Sequence, residues 1–382
     1  MRAAKLEKLK LPFAIAVSGG GDSMALLRLA HAMRKDFVAL TVDHALRQSS
    51  AAEARKVKRW CKALGVEHHT LKWRHGKVAT GLQAKARNAR YDLMTAWCAK
   101  HGITTLLTAH TADDQAETVA MRMKRTSSPA SLAGIWPEAE WNNIRILRTL
   151  LSKRRKALRS YLVSHGQEWI EDESNSNEKF ERVRIRNAAP NIALAIGAAK
   201  AQKLVTTAKR EAKSWMAKNL MVTEAGMVRF STPSFATLKD MARDEVLQKI
   251  ISICGGAATE LAKRHELVNW LNKPDSSRRT LGRVVFAKTK NEICAAREAA
   301  RIDAKPQLVS SSKSVIWDNR FCITAPKGSS IVAKMNAKGM KRNDKLPFYV
   351  DQTLPVVRLP NSILVDAIQS PSAHVSAIFI KK

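Results

Sequence analysis

The chain is short of acidic residues, aromatics and paired cysteines, and each shortage removes a class of function. Of 382 residues only 33 are Asp or Glu, against 66 Lys or Arg, giving a formal net charge of +33. A chain this basic repels itself unless a polyanion or counterions screen it, so it suits phosphate-rich partners, nucleic acid first and a membrane surface second. Aromatics make up 5% of residues, so any core is aliphatic and rich in alanine. The five cysteines (Cys61, Cys98, Cys254, Cys294 and Cys322) are scattered and form no C-x-x-C pair, which argues against a disulfide framework or a zinc site. No run approaches the ~20 apolar residues that cross a bilayer, so no membrane partner is expected. The apolar run 11–17 stops at a serine and three glycines, a poor match to a signal peptide. The expected location is cytoplasmic.

What is present is enough to fold. Apolar residues make up 45% of the chain, and its length suits two or three domains at roughly 150 residues each. In the first half, short apolar runs (11–17, 37–42, 66–71 and 103–109) alternate with helical patterns over 24–33, 50–64, 82–101 and 112–125. This alternation predicts an α/β fold, a parallel sheet with helices on both faces, whose ligands bind at the carboxyl ends of the strands. Residues 126–145 read as a loop, 150–165 as a basic amphipathic helix, and 193–219 as a long connecting helix rich in Ala and Lys. The expected division is a catalytic domain over 1–195, a connecting helix over 196–220, an α+β domain over 221–301 and a mainly β domain over 302–382.

The chemically capable residues cluster at the expected strand ends: Ser18 to Ser23, Asp43-His44, and His110 to Asp114. The hexapeptide Ser18-Gly19-Gly20-Gly21-Asp22-Ser23 follows an apolar strand and opens a helix. Its glycines let backbone N–H groups turn toward an anion, and the positive end of the helix adds to the attraction. Asp22 in a phosphate site makes sense as a Mg²⁺ ligand or a helix cap. The loop lacks the Walker lysine and the dinucleotide glycine spacing. It resembles the loop of the N-type ATP pyrophosphatases, which grip the β- and γ-phosphates and leave the α-phosphate open to attack.

Three further stretches narrow that resemblance: Thr41-Val42-Asp43-His44-Ala45-Leu46-Arg47; Gln83-Ala84-Lys85-Ala86-Arg87-Asn88-Ala89-Arg90-Tyr91; and Ala109-His110-Thr111-Ala112-Asp113-Asp114-Gln115-Ala116-Glu117-Thr118. With the glycine loop they resemble the tRNA(Ile)-lysidine synthetase family, well over 13–190 and faintly through Arg279-Thr280-Leu281-Gly282 and Trp317-Asp318-Asn319-Arg320-Phe321. The resemblance implies that ATP adenylates the C2 oxygen of the wobble cytidine of a CAU-anticodon tRNA(Ile). The ε-amine of free L-lysine then displaces AMP, giving lysidine. It implies ATP and Mg²⁺ as cofactors, and the reading leaves room for a homodimer. The chain departs from the family's pattern at Arg125 to Leu132, where the glycine-rich loop is absent, at Arg148-Thr149-Leu150-Leu151 and at Asp172-Glu173-Ser174-Asn175.

The expected nucleotide ligands are Ser18, Gly19, Gly20, Gly21, Asp22, Ser23, Asp43 and His110. Asp22, Asp43, Asp113 and Arg87 are the expected catalytic groups, and Asp22 and Asp114 the expected metal ligands. Asp43 suits the adenine amino group or the lysine. Arg87 and Arg90, three apart on one helix face, suit the α-phosphate or the tRNA backbone. The spacing of His110, Asp113, Asp114 and Glu117 predicts a shared face beside the triphosphate, able to hold Mg²⁺ or take a proton from the lysine ammonium. In the second half Arg278, Arg279, Lys334, Lys338, Lys341, Arg342, Lys381 and Lys382 read as tRNA contacts, and Trp270 and Trp317 as core. Three other readings stay open: a tRNA-thiolating relative, disfavoured by the missing C-x-x-C; a tRNA-binding protein with a vestigial nucleotide site; and an enzyme amidating a small acid, disfavoured by the charge.

Overall fold

The computed structural model describes the chain except for residues 1–10, 34–35, 46–48, 77–80, 127, 172–180, 274–276, 311–313, 369–370, 372–373 and 381–382, and the side chain of Gln83. Leu46, Arg47, Ser127, the 172–175 stretch and the terminal lysines therefore lie outside the described residues. The chain divides into two compact units, 1–205 and 206–382.

In the first unit, strands β1 (Phe13–Ala16), β2 (Phe37–Asp43), β3 (Glu67–Lys72), β4 (Thr105–Leu107), β5 (Glu138–Trp141) and β6 (Ile144–Leu147) form one sheet in the order β3-β2-β1-β4-β6-β5. All neighbours are parallel except β5, which pairs antiparallel with β6. The helices are α1 (Gly21–Met33), α2 (Ser50–Ala63), α3 (Leu82–Lys100), α4 (Ala112–Met123), α5 (Pro129–Leu132), α6 (Arg155–Ser164) and α7 (Glu181–Asn187), and α8 (Ala193–Asn219) begins in this unit and ends in the second. Side chains alternate along β1 as strand geometry demands. Phe13 and Ile15 join a buried cluster with α1, α2 and α6, while Ala14 joins another with Tyr91, Met94 and Cys98 of α3. The sheet is thus covered on both faces, as the alternating pattern predicts.

The expected loop over 126–145 holds a hairpin instead. Its turn, Asn142-Asn143, has both residues at positive φ (48° and 62°), the geometry that suits a two-residue hairpin and that asparagine tolerates. The strands were hidden because β5 is short and not fully buried, with no apolar run to mark it.

The second unit contains three antiparallel sheets among the described residues: a five-stranded one from Met221–Val222 to Glu292–Arg297, a four-stranded one including Ser330–Ala333 and Pro355–Arg358, and a three-stranded one made of Val315–Trp317, Phe321–Thr324 and Ser376–Phe379. One buried cluster runs from Ala208 to Phe379 beneath them. Trp270 and Trp317 are buried in it, as the sequence indicates. Among the described residues no helix is long and apolar enough to cross a membrane.

Candidate active site

The chain runs β1, β2, β3 outward, then returns past β1 to β4 on the opposite side. The carboxyl end of β1 is therefore the topological switch point, where an open α/β sheet leaves a crevice. The glycine loop leaves β1 there. Gly19 has φ of +88°, and a Cβ on it would lie 2.6 Å from Cδ1 of Ile170, so both conformation and space demand glycine. Ser23 is buried and braces the loop from inside: its Oγ donates to the Gly20 carbonyl (2.8 Å) and accepts from the Ser18 amide (3.2 Å). The first-turn amides of α1, at Gly21, Asp22 and Ser23, have no acceptor within the helix and point to the crevice end.

Asp22 accepts from Nε of Arg155 (3.2 Å) through Oδ2, while its Oδ1 is buried without a hydrogen-bond partner. Burial pushes the Asp22 carboxyl above its ordinary range, and Arg155 offsets only part of that. Arg155, at the start of α6, also reaches Oδ1 of Asp114 (3.1 Å) and Oε1 of Glu117 (3.3 Å). Arg182 bridges the same two carboxylates from α7 at 2.9 and 2.8 Å, and Arg186 reaches Glu117 at 2.9 Å. Three carboxylates therefore face three guanidiniums. Burial pushes the Asp114 carboxyl up, but Arg182, Arg155 and the Thr111 amide outweigh it and hold it below its ordinary value.

The expected shared face of His110, Asp113, Asp114 and Glu117 is only partly formed. Thr111 caps α4 in a reciprocal capping box with Asp114, so the helical period starts at 112 and His110 precedes it. His110 instead meets Thr108 Oγ1 through Nδ1 (3.1 Å). Burial, with the charges of Arg148, Arg87 and Arg90, lowers its proton affinity and outweighs Asp114. Asp113 turns to α6, accepting from the Arg155 amide (2.7 Å) and from Nε of Arg154 (3.2 Å). Asp114 engages both oxygens, one in the cap and one with arginines. Among the described residues no group of three or more His, Cys, Asp or Glu is arranged to hold a metal.

Asp43 is buried at the end of β2, its Oδ1 accepting from the Ala45 amide (2.9 Å). Arg87 and Arg90 do share a face of α3, both lying over the ring of Tyr91 at 5.2 and 5.7 Å. Sequence reasoning missed Arg155, Arg182 and Arg186. They sit in stretches read as generically basic, and only the fold brings them onto the acids of α1 and α4. Cys61 and Cys98 are buried in hydrophobic clusters, and burial pushes both thiols up to about 12, so neither supplies a thiolate.

A glycine loop at the switch point of a parallel sheet, braced by its own serine and followed by an acid at the helix start, defines a PP-loop ATP-binding domain, and the model of that family, described as PP-loop domain, matches residues 3–192. Relatives extend the likeness beyond it. A tRNA(Ile)-lysidine synthase of Ruegeria pomeroyi is 34% identical over 327 residues, covering 82% of this chain and 76% of the relative. Those of Rhizobium meliloti and Mesorhizobium japonicum are 32% and 35% identical, covering 89% and 86% of this chain and 78% and 76% of theirs. The chain belongs to the tRNA(Ile)-lysidine synthase family, an ATP-dependent ligase family built on the PP-loop domain.

Proposed function

We propose that the protein adenylates the C2 oxygen of the wobble cytidine of a CAU-anticodon tRNA(Ile) and joins L-lysine to the activated carbon. The cytidine oxygen attacks the α-phosphate and pyrophosphate leaves. The lysine ε-amine, having lost a proton, then attacks C2, the C2–O bond breaks and AMP leaves. The observation that carries this reading is Asp22, a carboxylate with one buried, unpartnered oxygen on a loop shaped for phosphates.

The loop amides and the start of α1 hold the β- and γ-phosphates. The open Oδ1 of Asp22 fits one Mg²⁺ contact, since Mg²⁺ beside a nucleotide takes one or two carboxylates and completes its shell with phosphates and water. Such an ion, when bound, neutralises charge on the departing pyrophosphate. Asp114, with both oxygens engaged, contributes to that end of the site through Arg155. Asp43 and His110 flank the nucleotide, with His110 neutral, and Arg87 approaches the α-phosphate from α3. Asp113 fixes the start of α6 and so the aim of Arg155; it or the Asp114–Glu117 pair receives the proton from lysine.

The unit over 206–382 is read as tRNA-binding, with 221–301 and 302–382 as its parts. Arg342 over the exposed ring of Phe348 (5.6 Å) supports this. Lys334 does not contribute: it is buried, its Nζ bound to Asp351 (2.8 Å) and Asp366 (3.2 Å).

The test is product stoichiometry. One AMP and one pyrophosphate per modified tRNA are expected, both requiring tRNA and the AMP requiring lysine as well. Release of ADP and phosphate, or turnover without RNA, contradicts the reading.

A further inference from the structure

Beyond the last residue of β3 the chain keeps its register for one more step. The Trp73 amide donates to the Asp43 carbonyl (2.9 Å), which brings Trp73 level with His44 at the carboxyl edge of the sheet. There three rings form a ladder. His44 meets Trp73 edge-on with centroids 5.9 Å apart, and Trp73 lies against His75 at 4.0 Å with planes tilted by 35°. The His75 ring is pinned by a carbonyl, its N–H reaching the His44 carbonyl from Nε2 (3.1 Å) or the Gly76 carbonyl from Nδ1 (2.8 Å) according to the tautomer. The outer ring, His75, is exposed.

Among the described residues, Trp73 belongs to none of the hydrophobic clusters, so core packing does not account for the ladder. In a chain with 9 tryptophans and 3 tyrosines, a pinned aromatic stack at the edge of a nucleotide crevice is a costly arrangement to leave idle. The Nδ1 atom of His44, at the inner end, is buried without a hydrogen-bond partner. Exposed Arg74 adjoins the ladder in sequence and the charge of Arg90 on α3 reaches His44, supplying cations for a phosphate backbone.

Unpaired bases are recognised by stacking on aromatic faces with arginine on the flanking phosphates. We propose that the His44–Trp73–His75 ladder is a stacking platform for an unpaired nucleobase of the RNA substrate, delivered to the carboxyl end of β2. This rests on the tRNA-modifying reading above. The adenine of ATP has the same stacking chemistry, and the experiment separates the two sources.

Affinity is measured for an anticodon stem-loop, for the same stem-loop made abasic at each loop position in turn, and for ATP. The proteins compared are the wild type, Trp73→Ala and Trp73→Phe. Trp73→Ala is expected to weaken stem-loop binding by about 5- to 150-fold, the range for losing one stacked base. Trp73→Phe should retain most of the affinity. One abasic position should weaken the wild type equally and have no further effect in Trp73→Ala, while ATP affinity stays the same in all three. Equal stem-loop binding by wild type and Trp73→Ala, or a loss seen with every abasic RNA alike, overturns the platform and leaves the tRNA reading intact. A loss confined to ATP overturns the RNA assignment. Wild-type protein that binds the stem-loop no better than a duplex of equal length overturns both the platform and the reading beneath it.

Discussion

Both units bury charged side chains together, yet the two arrangements differ in what they leave open. In the second unit Lys334 lies between Asp351 and Asp366, and Arg297 and Arg320 share Asp318, with Arg320 also donating to the Thr353 carbonyl (2.8 Å). These groups are closed over and hold strands to their neighbours. At the crevice, Asp22, Asp114 and Glu117 face Arg155, Arg182 and Arg186 in equal number, but Asp22 keeps an unpartnered oxygen and the guanidiniums of Arg182 and Arg186 are partly exposed. A charge cluster by itself marks nothing. An open valence at a sheet's switch point marks chemistry.

The sharpest break of that comparison is one charged residue from each region. Asp22→Ala is expected to lower AMP formation at least about a hundredfold, the scale of losing one preorganised electrostatic group, while stem-loop binding persists. Normal turnover would mean that the open valence is not functional. Lys334→Met leaves two buried carboxylates without their ammonium and is expected to cost about 3–5 kcal/mol in denaturant unfolding, with kcat unchanged for the molecules that remain folded. A variant that is stable but inactive would place Lys334 in the chemistry.

A smaller effect sharpens the picture inside the first unit. Thr41 Oγ1 donates to the Val17 carbonyl (2.7 Å), so it accepts from Nε2 of His68 (2.8 Å), which must be protonated there. Burial, helped by His69 and Lys58, pushes His68 down to about 4. The folded state thus binds the second proton, at the buried Nδ1, less readily than the unfolded one. The stability it confers is present above about 6.5 and is lost as pH falls toward 4. His44 and His110 shift in the same direction, both mainly through burial. With a discount for its partial exposure, His68 should contribute on the order of 1 kcal/mol between pH 7 and 5. Unfolding curves of wild type and His68→Gln at the two pH values check this. The variant should show the shallower pH dependence, and identical slopes would remove His68 from the account.

The glycine loop, the strand ends and the helix starts were readable because one short stretch of sequence determines each. Gly19 must be glycine for local reasons, and apolar runs mark β1, β2 and β4. The arginines were not readable. Arg155 and Arg182 lie 133 and 160 positions beyond Asp22, and nothing in their neighbourhoods distinguishes them from other basic residues until α6 and α7 fold back onto α1 and α4. The same long-range pairing hid the strands Glu292–Arg297 and Pro355–Arg358, whose identity depends on partners elsewhere in the sheet. Lys334 misled for the opposite reason, since a basic residue reads as surface until its two aspartates are found.

The central claim is tested most directly by following labelled lysine into RNA with ATP and Mg²⁺, comparing a CAU-anticodon tRNA(Ile) with the CAU methionine tRNAs. Label confined to the isoleucine tRNA, with AMP released in step, is the predicted result. AMP release that depends on tRNA but leaves lysine unincorporated, or label spread equally over the isoleucine and methionine tRNAs, would contradict it.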